Sequence, residues 1–220
     1  MSKVPAFQKP IQIIFNIFLN DKDPKNHDIQ VLIRLITNLP DEDINKKDRN
    51  GDTVLHHLAY YGHCNIIPII LERDTVRPNL LNNWGITPLH RACHRKGNVD
   101  TVKLLVEHPK ININKRNTDG LTVLHEACDY NDYDIVSYLL KNDNIDPNAV
   151  ADNNITPFMM ACMTKGSEKI IRLLLSDSRV NFHIKSDIYN FDGYDLAEYY
   201  SNINILPLLR QVFTDKRPLY

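Results

Sequence analysis

Two short stretches place an imidazole and a thiol one helical turn apart: PLHRAC at residues 88–93 and VLHEAC at residues 123–128. On a helix, His90 and Cys93 would share a face, as would His125 and Cys128. Such a pair can ligate a metal, or supply a nucleophile and its base. Other catalytic signatures are missing from the sequence. It contains neither GxGxxG nor GxxxxGK[ST], so no glycine-rich phosphate cradle is encoded. It contains no GxSxG nucleophile elbow, and no carboxylate pair stands out.

What positions these side chains must be read from the rest of the chain. Its 220 residues suffice for one sizeable domain. Hydrophobic residues are 43% and charged residues 24%, as in an ordinary globular protein. The net charge of −1 draws the chain to neither nucleic acid nor an anionic membrane. Four cysteines do not make a secreted disulfide framework. The apolar run IQIIFNIFLN, residues 11–20, is too short to span a bilayer and lacks the flanks of a signal peptide. The expectation is a cytoplasmic protein in a reducing compartment, with the nucleus or a host-cell cytosol as alternatives, and with no membrane insertion.

Internal repetition is the dominant signal. Thr53, Thr87, Thr122 and Thr156 recur at steps of 34, 35 and 34, and Asp192 follows 36 later in a degenerate copy, DGYDLAEYY. Gly51, Gly85 and Gly120 precede the first three threonines by two residues, and Asn154 takes that place in the fourth copy. Asparagine also tolerates the positive φ such a turn requires. A second series, Asn45, Asn79, Asn114, Asn148 and Asn181, has steps of 34, 35, 34 and 33. Each threonine is a helix N-cap, and Pro88 and Pro157 sit where a missing N–H costs little. The second helices read VDTVKLLVEH, YDIVSYLLKN and SEKIIRLLLSD, each with an apolar stripe that one unit cannot bury alone.

The stretches NGDTVLHHLAYYGH, NWGITPLHRAC, TDGLTVLHEAC and NNITPFMMAC resemble the ankyrin repeat. The resemblance runs strongly over residues 41–186 and more weakly over both ends. It implies an all-α repeat solenoid of stacked helix–turn–helix units joined by β-hairpin or loop fingers, with degenerate caps. The expected layout is one domain, 1–220: an N-terminal cap at 8–47, repeats at 48–81, 82–116, 117–150 and 151–186, a C-terminal cap at 187–212 and a tail at 213–220. PIQIIFNIFLN and HDIQVLIRLITNL would be the two cap helices. Pro68 and Pro207 fall fifteen residues after the threonine position, which predicts a shortened or kinked helix at each.

The register answers the opening question. His56, His90 and His125 share one position, and Cys93, Cys128 and Cys162 another. Equivalent positions in stacked units lie about 8–10 Å apart, too far for a disulfide or for convergence on one zinc ion. The fourth copy keeps Cys162 but has Met159 in place of histidine. The thiols are therefore expected to be buried and unliganded, and the histidines to tie finger to helix by hydrogen bonds, as the resemblance implies. The repeat-end asparagines are expected at finger bases, bonded to local backbone. The resemblance also marks Asn114 and Asn148 as possible asparaginyl hydroxylation sites.

Function then rests on variable surface positions. The resemblance implies that partners contact finger tips and the exposed end of the first helix. By register these include Arg49, Trp84, Tyr60, Tyr61, His94, Arg95, Tyr130 and Met163. Trp84, Tyr60, Tyr61, Arg95 and Tyr130 are expected to form one patch on the concave side, of the residue types enriched at interfaces. Charge is uneven along the chain: residues 85–119 carry net +4 and residues 120–155 net −6. The leading reading is a monomeric, cofactor-free, non-enzymatic protein-interaction module: an adaptor, an inhibitor or a targeting subunit. The alternatives are nucleic-acid or charged-ligand binding through the basic segment, against which the neighbouring acidic segment argues, and an enzyme with an unrecognised site.

Overall fold

The structure, a computed structural model, describes residues 9–20 and 29–214. The start of the expected N-terminal cap at residue 8, the first two residues of its second helix and residues 215–220 of the expected tail lie outside the described residues.

Twelve α-helices follow in pairs among the described residues: α1 (Pro10–Asn20) and α2 (Ile29–Thr37), α3 (Val54–Tyr61) and α4 (Ile67–Leu71), α5 (Pro88–Cys93) and α6 (Val99–Val106), α7 (Val123–Asp129) and α8 (Tyr133–Leu140), α9 (Pro157–Met163) and α10 (Glu168–Ser176), α11 (Gly193–Tyr199) and α12 (Leu206–Leu209). The odd-numbered helices stack into an inner row and the even-numbered ones into an outer row. The core lies between the rows and is continuous from Ile11 to Phe213. Phe213, the first residue of the expected tail, is buried in it.

Each inner helix starts where the sequence places its cap. Thr53, Thr87, Thr122 and Thr156 all have extended backbone, and Thr87 and Thr156 accept from His90 N and Met159 N. Proline at the first turn shapes the short outer helices. Pro68 and Pro207 each stand second in their helix, and α4 and α12 have only five and four residues. A proline is tolerated in the first turn because its absent N–H would have had no partner there. The helices therefore begin one residue before their prolines and are shortened rather than kinked.

The fingers between units are loops. No strand forms among the described residues. Of the expected β-hairpin or loop fingers the loop form is found, each closed by a short pair of backbone bonds, such as Asn82 N to Ile86 O at 2.9 Å with Gly85 N to Asn82 O at 3.1 Å, and Asn117 N to Leu121 O at 2.9 Å with Gly120 N to Asn117 O at 3.1 Å. The side chain at the finger base supplies the other bonds: Asn82 Oδ1 accepts from Trp84 N and Ile86 N, and Asn117 Oδ1 from Asp119 N and Leu121 N. With these amides capped locally, no ladder is needed. Gly51 has φ 77°, and a Cβ there would lie 2.7 Å from Asn83 N of the next finger. Asn154 takes the equivalent place at φ 59°.

The repeat-end asparagines correct one expectation. They bond the backbone of the next unit, not their own. Asn114 Nδ2 donates to Asn144 O at 2.7 Å, and Asn114 Oδ1 accepts from Asp146 N at 2.9 Å. Asn45 does the same with Thr75 O and Arg77 N, Asn79 with Lys110 O and Asn112 N, and Asn148 with Arg179 O and Asn181 N. A primary amide carries one donor side and one acceptor side, so it can mimic a backbone pairing across the junction. Asn181 ends the series and accepts from His183 N instead.

Candidate functional site

The histidine ladder is part of the scaffold. Nε2 of His56, His90 and His125 lies 2.9, 3.1 and 3.0 Å from the carbonyl oxygens of Ile86, Leu121 and Ile155 in the following finger. A carbonyl only accepts, so Nε2 carries the proton. Nδ1 then accepts from the threonine three residues earlier, with Thr53 N and Thr122 N each 3.1 Å away. Burial pushes His56 and His125 down to about 4 and lowers His90 as well. Each ring is thus a neutral strut between its own cap and the next unit. Met159 fills the rung without a hydrogen bond from its side chain and is buried among Ile155 and Leu196.

All four cysteines are free, and Cys93, Cys128 and Cys162 are buried. Burial raises all three thiols, keeping them protonated and away from solvent. The His–Cys pairs of the opening stretches are therefore two neighbouring packing positions.

One group of potential metal ligands exists among the described residues: Asp48, Asp52 and His57, whose ligand atoms lie within 4.8 Å of one another. Their lone pairs already have partners. Asp48 Oδ1 accepts from Asn50 N and Asp52 N, and Asp48 Oδ2 lies 3.0 Å from His57 Nε2. Asp52 accepts from Asn82 Nδ2 at 2.8 Å and is paired with Arg91 at 2.5 Å. Burial pushes the Asp52 carboxyl up, but the Arg91 and Asn82 hydrogen bonds outweigh this and hold it below its ordinary value. A cation would have to enter beside the Arg91 guanidinium, so the group is a structural network.

The concave face between inner helices and finger tips is a groove. Its N-terminal half centres on Arg91, whose guanidinium carbon lies 5.7 Å from the Tyr60 ring and 5.6 Å from the Trp84 ring. Trp84 is 50% exposed on its finger tip. Next to this group, His94 and Tyr130 lie with ring centres 5.2 Å apart. His94 Nε2 is 3.2 Å from Glu126 Oε2, outside hydrogen-bond alignment. Burial and the Glu126 charge raise both Asp129 and Tyr130.

Of the five residues expected in one patch, Tyr60 and Trp84 meet through Arg91, and Tyr130 joins His94. Tyr61 adjoins the group through Tyr60, whose ring it meets edge to face at 5.1 Å, while its other side stacks on Phe18 of α1 at 5.7 Å and its hydroxyl donates to Phe18 O. It joins α3 to the N-terminal cap through α1. Arg49 is exposed, Arg95 is half-buried, and neither forms an ion pair among the described residues. Arg91 and Glu126 were not among the expected site residues. Both sit four residues after the threonine, and that charged pair in one register position was the available signal.

The floor of the C-terminal half is apolar. Met160, Met163, Ile184 and Phe191 are half-buried over Ile155, Met159 and Leu196. Beyond them Tyr189, Phe191, Tyr199 and Tyr200 form an aromatic cluster. No helix of the described residues is long and apolar enough to cross a membrane.

A comparison with protein families agrees with this architecture. The family described as ankyrin repeats (3 copies) matches residues 24–117 and again residues 109–188. No curated protein matches the chain in sequence. With paired helices at a 34-residue period, threonine-capped inner helices and histidine struts between fingers, the chain belongs to the ankyrin repeat family.

Proposed function

We propose that this protein is a non-enzymatic interaction module, an adaptor, inhibitor or targeting subunit, that holds a protein partner along its concave groove and finger tips. Ankyrin repeats are generally protein-interaction modules. The observation that carries the reading is Trp84: an indole half-exposed on a finger tip, backed by the Arg91 guanidinium and the Tyr60 ring. The finger itself does not need it, since its closing bonds come from Asn82 and the backbone. A rigid aromatic side chain loses little entropy on binding and buries a large area. Around it we assign Tyr60, Tyr61, Arg49, His94, Arg95, Tyr130 and Met163 to the partner-binding face, with Tyr61 acting through the cap it contacts. The proposed protein is a cytoplasmic monomer. Asn114 and Asn148 are proposed positions of asparaginyl hydroxylation, to be tested by peptide mass spectrometry after incubation with such an enzyme.

The test is capture of partners from lysate, followed by affinity and melting measurements on Trp84→Ala. The substitution should weaken partner binding by about 2 kcal/mol and change folding stability by less than about 0.5 kcal/mol. Unchanged binding with a large fall in melting temperature would make the indole part of the scaffold and end this assignment.

A further inference from the structure

We propose that the C-terminal half of the groove takes an extended, basic peptide segment of a protein partner, with an apolar side chain as its anchor; this rests on the groove being the partner face. The first support is charge. The finger and inner-helix segments 117–130, 151–164 and 186–200 contain no Lys or Arg and eight Asp or Glu. The equivalent segments 48–61 and 82–95 hold Arg49, Arg91 and Arg95. Four of these acids, Asp119, Asp129, Asp152 and Asp187, are exposed, and Asp129 marks where the acidic run meets the N-terminal half. Three of these stand on successive finger tips that the backbone links into a row: Asp152 N donates to Asp119 O at 3.0 Å, and Asp187 N to Asn153 O at 2.8 Å.

The second support is the shape of the last finger. It closes from Ser186 N to Phe191 O, one residue more than the closure from Ala151 N to Ile155 O in the preceding finger. The extra residue projects Ile188 and Tyr189 from the tip, with Tyr189 at φ 55°. A tyrosine in the left-handed region is strained, and such strain persists only where the surroundings impose it. Tyr189 is 73% exposed and Tyr199 61%.

The rings of Tyr189, Phe191 and Tyr199 form a triangle with centre separations of 5.4, 5.8 and 6.4 Å. They touch one another, so they cannot enclose a cation. They offer outer ring faces, where a lysine or arginine gains from the ring quadrupole. Met160, Met163 and Phe191 pack on the same buried cluster of Ile155, Met159 and Leu196, and the methionines form an adaptable apolar floor for an anchor side chain. The carboxylate row draws the basic segment in and sets its direction, and the aromatic and methionine floor holds it.

The test uses fluorescence anisotropy on the full chain with three labelled short peptides: alternating arginine and leucine, arginine and serine, and glutamate and leucine. The arginine–leucine peptide should bind best and weaken with added salt. Tyr189→Ser, Tyr199→Ser and the double variant Asp152→Lys/Asp187→Lys should each weaken it about tenfold or more. These side chains are exposed, so circular dichroism should stay unchanged. Equal binding of the glutamate–leucine or arginine–serine peptide would overturn the proposal. So would indifference to the tyrosine variants, or concentration-dependent self-association that occupies the same face. If a captured partner is released by Trp84→Ala while no peptide binds, this inference falls alone. If the partner ignores every groove variant, the reading of the groove falls with it.

Discussion

The two ends of the groove are built on the same positions with opposite chemistry. Just before each inner helix, the first unit has Asp52, and later units have Ile86, Leu121, Ile155 and Phe191. Four residues after each threonine come His57, Arg91 and Glu126, and then Met160; seven after come Tyr60, His94 and Asp129, and then Met163. In the N-terminal half these side chains are spent on one another, through the Asp52–Arg91 pair and the His94–Glu126 contact. In the C-terminal half they form an apolar floor with exposed tyrosines beyond it. Threonine, histidine, glycine and asparagine hold the units together at other positions. The groove positions are thereby free to differ, and the N-terminal half uses some of that freedom for stability.

Acid should separate the halves most strongly. His56 and His125 lie at about 4 when folded, against an ordinary value of 6.5. The fold favours their neutral forms, so their contribution is complete above pH 6.5 and is lost as pH falls toward 4. At pH 5 the loss is roughly 2 kcal/mol for each. The unit that carries Met159 has no titrating rung. Hydrogen exchange at pH 5, corrected for intrinsic rates, should show protection falling first across residues 53–125. An equal fall across 157–199 would show that the histidine struts are not the acid-labile element.

Arg91→Ala comes next. It leaves the 2% exposed Asp52 without its charge partner and should destabilise by about 3 kcal/mol. The double variant Asp52→Leu/Arg91→Met copies the Leu121 and Met160 chemistry of a later junction and should recover most of that loss in urea titrations. No recovery would mean that the N-terminal half needs its ion pair for more than charge balance.

The asparagine clamps are common to both halves and should not distinguish them. Asn79→Ala and Asn148→Ala each remove two hydrogen bonds across a junction, and each should cost about 1–2 kcal/mol. Unequal losses would show that one junction has other support. The smallest effect is a gain: the buried Tyr194 hydroxyl lacks a hydrogen-bond partner among the described residues. Tyr194→Phe should raise stability by about 1 kcal/mol, and a lower melting temperature would reveal a partner for the phenol.

The sequence by itself determined the fold, because the period, the threonine caps, the Gly51, Gly85 and Gly120 turns and the apolar stripes are each local and mutually consistent. It also determined that the His–Cys pairs are scaffold, since a shared register forbids convergence. Only the tertiary structure decided where polar side chains reach across units. Asn114 bonds the next unit rather than its own turn, Arg91 turns toward Asp52 of the unit before, and Tyr61 toward Phe18 of the cap. The reason is physical: a register specifies a residue's place within its unit, but an amide, a guanidinium or a phenol bonds whatever donor or acceptor stacking brings within about 3 Å. That neighbour lies some thirty or forty residues away in the chain, and only the packed rows of helices bring it near.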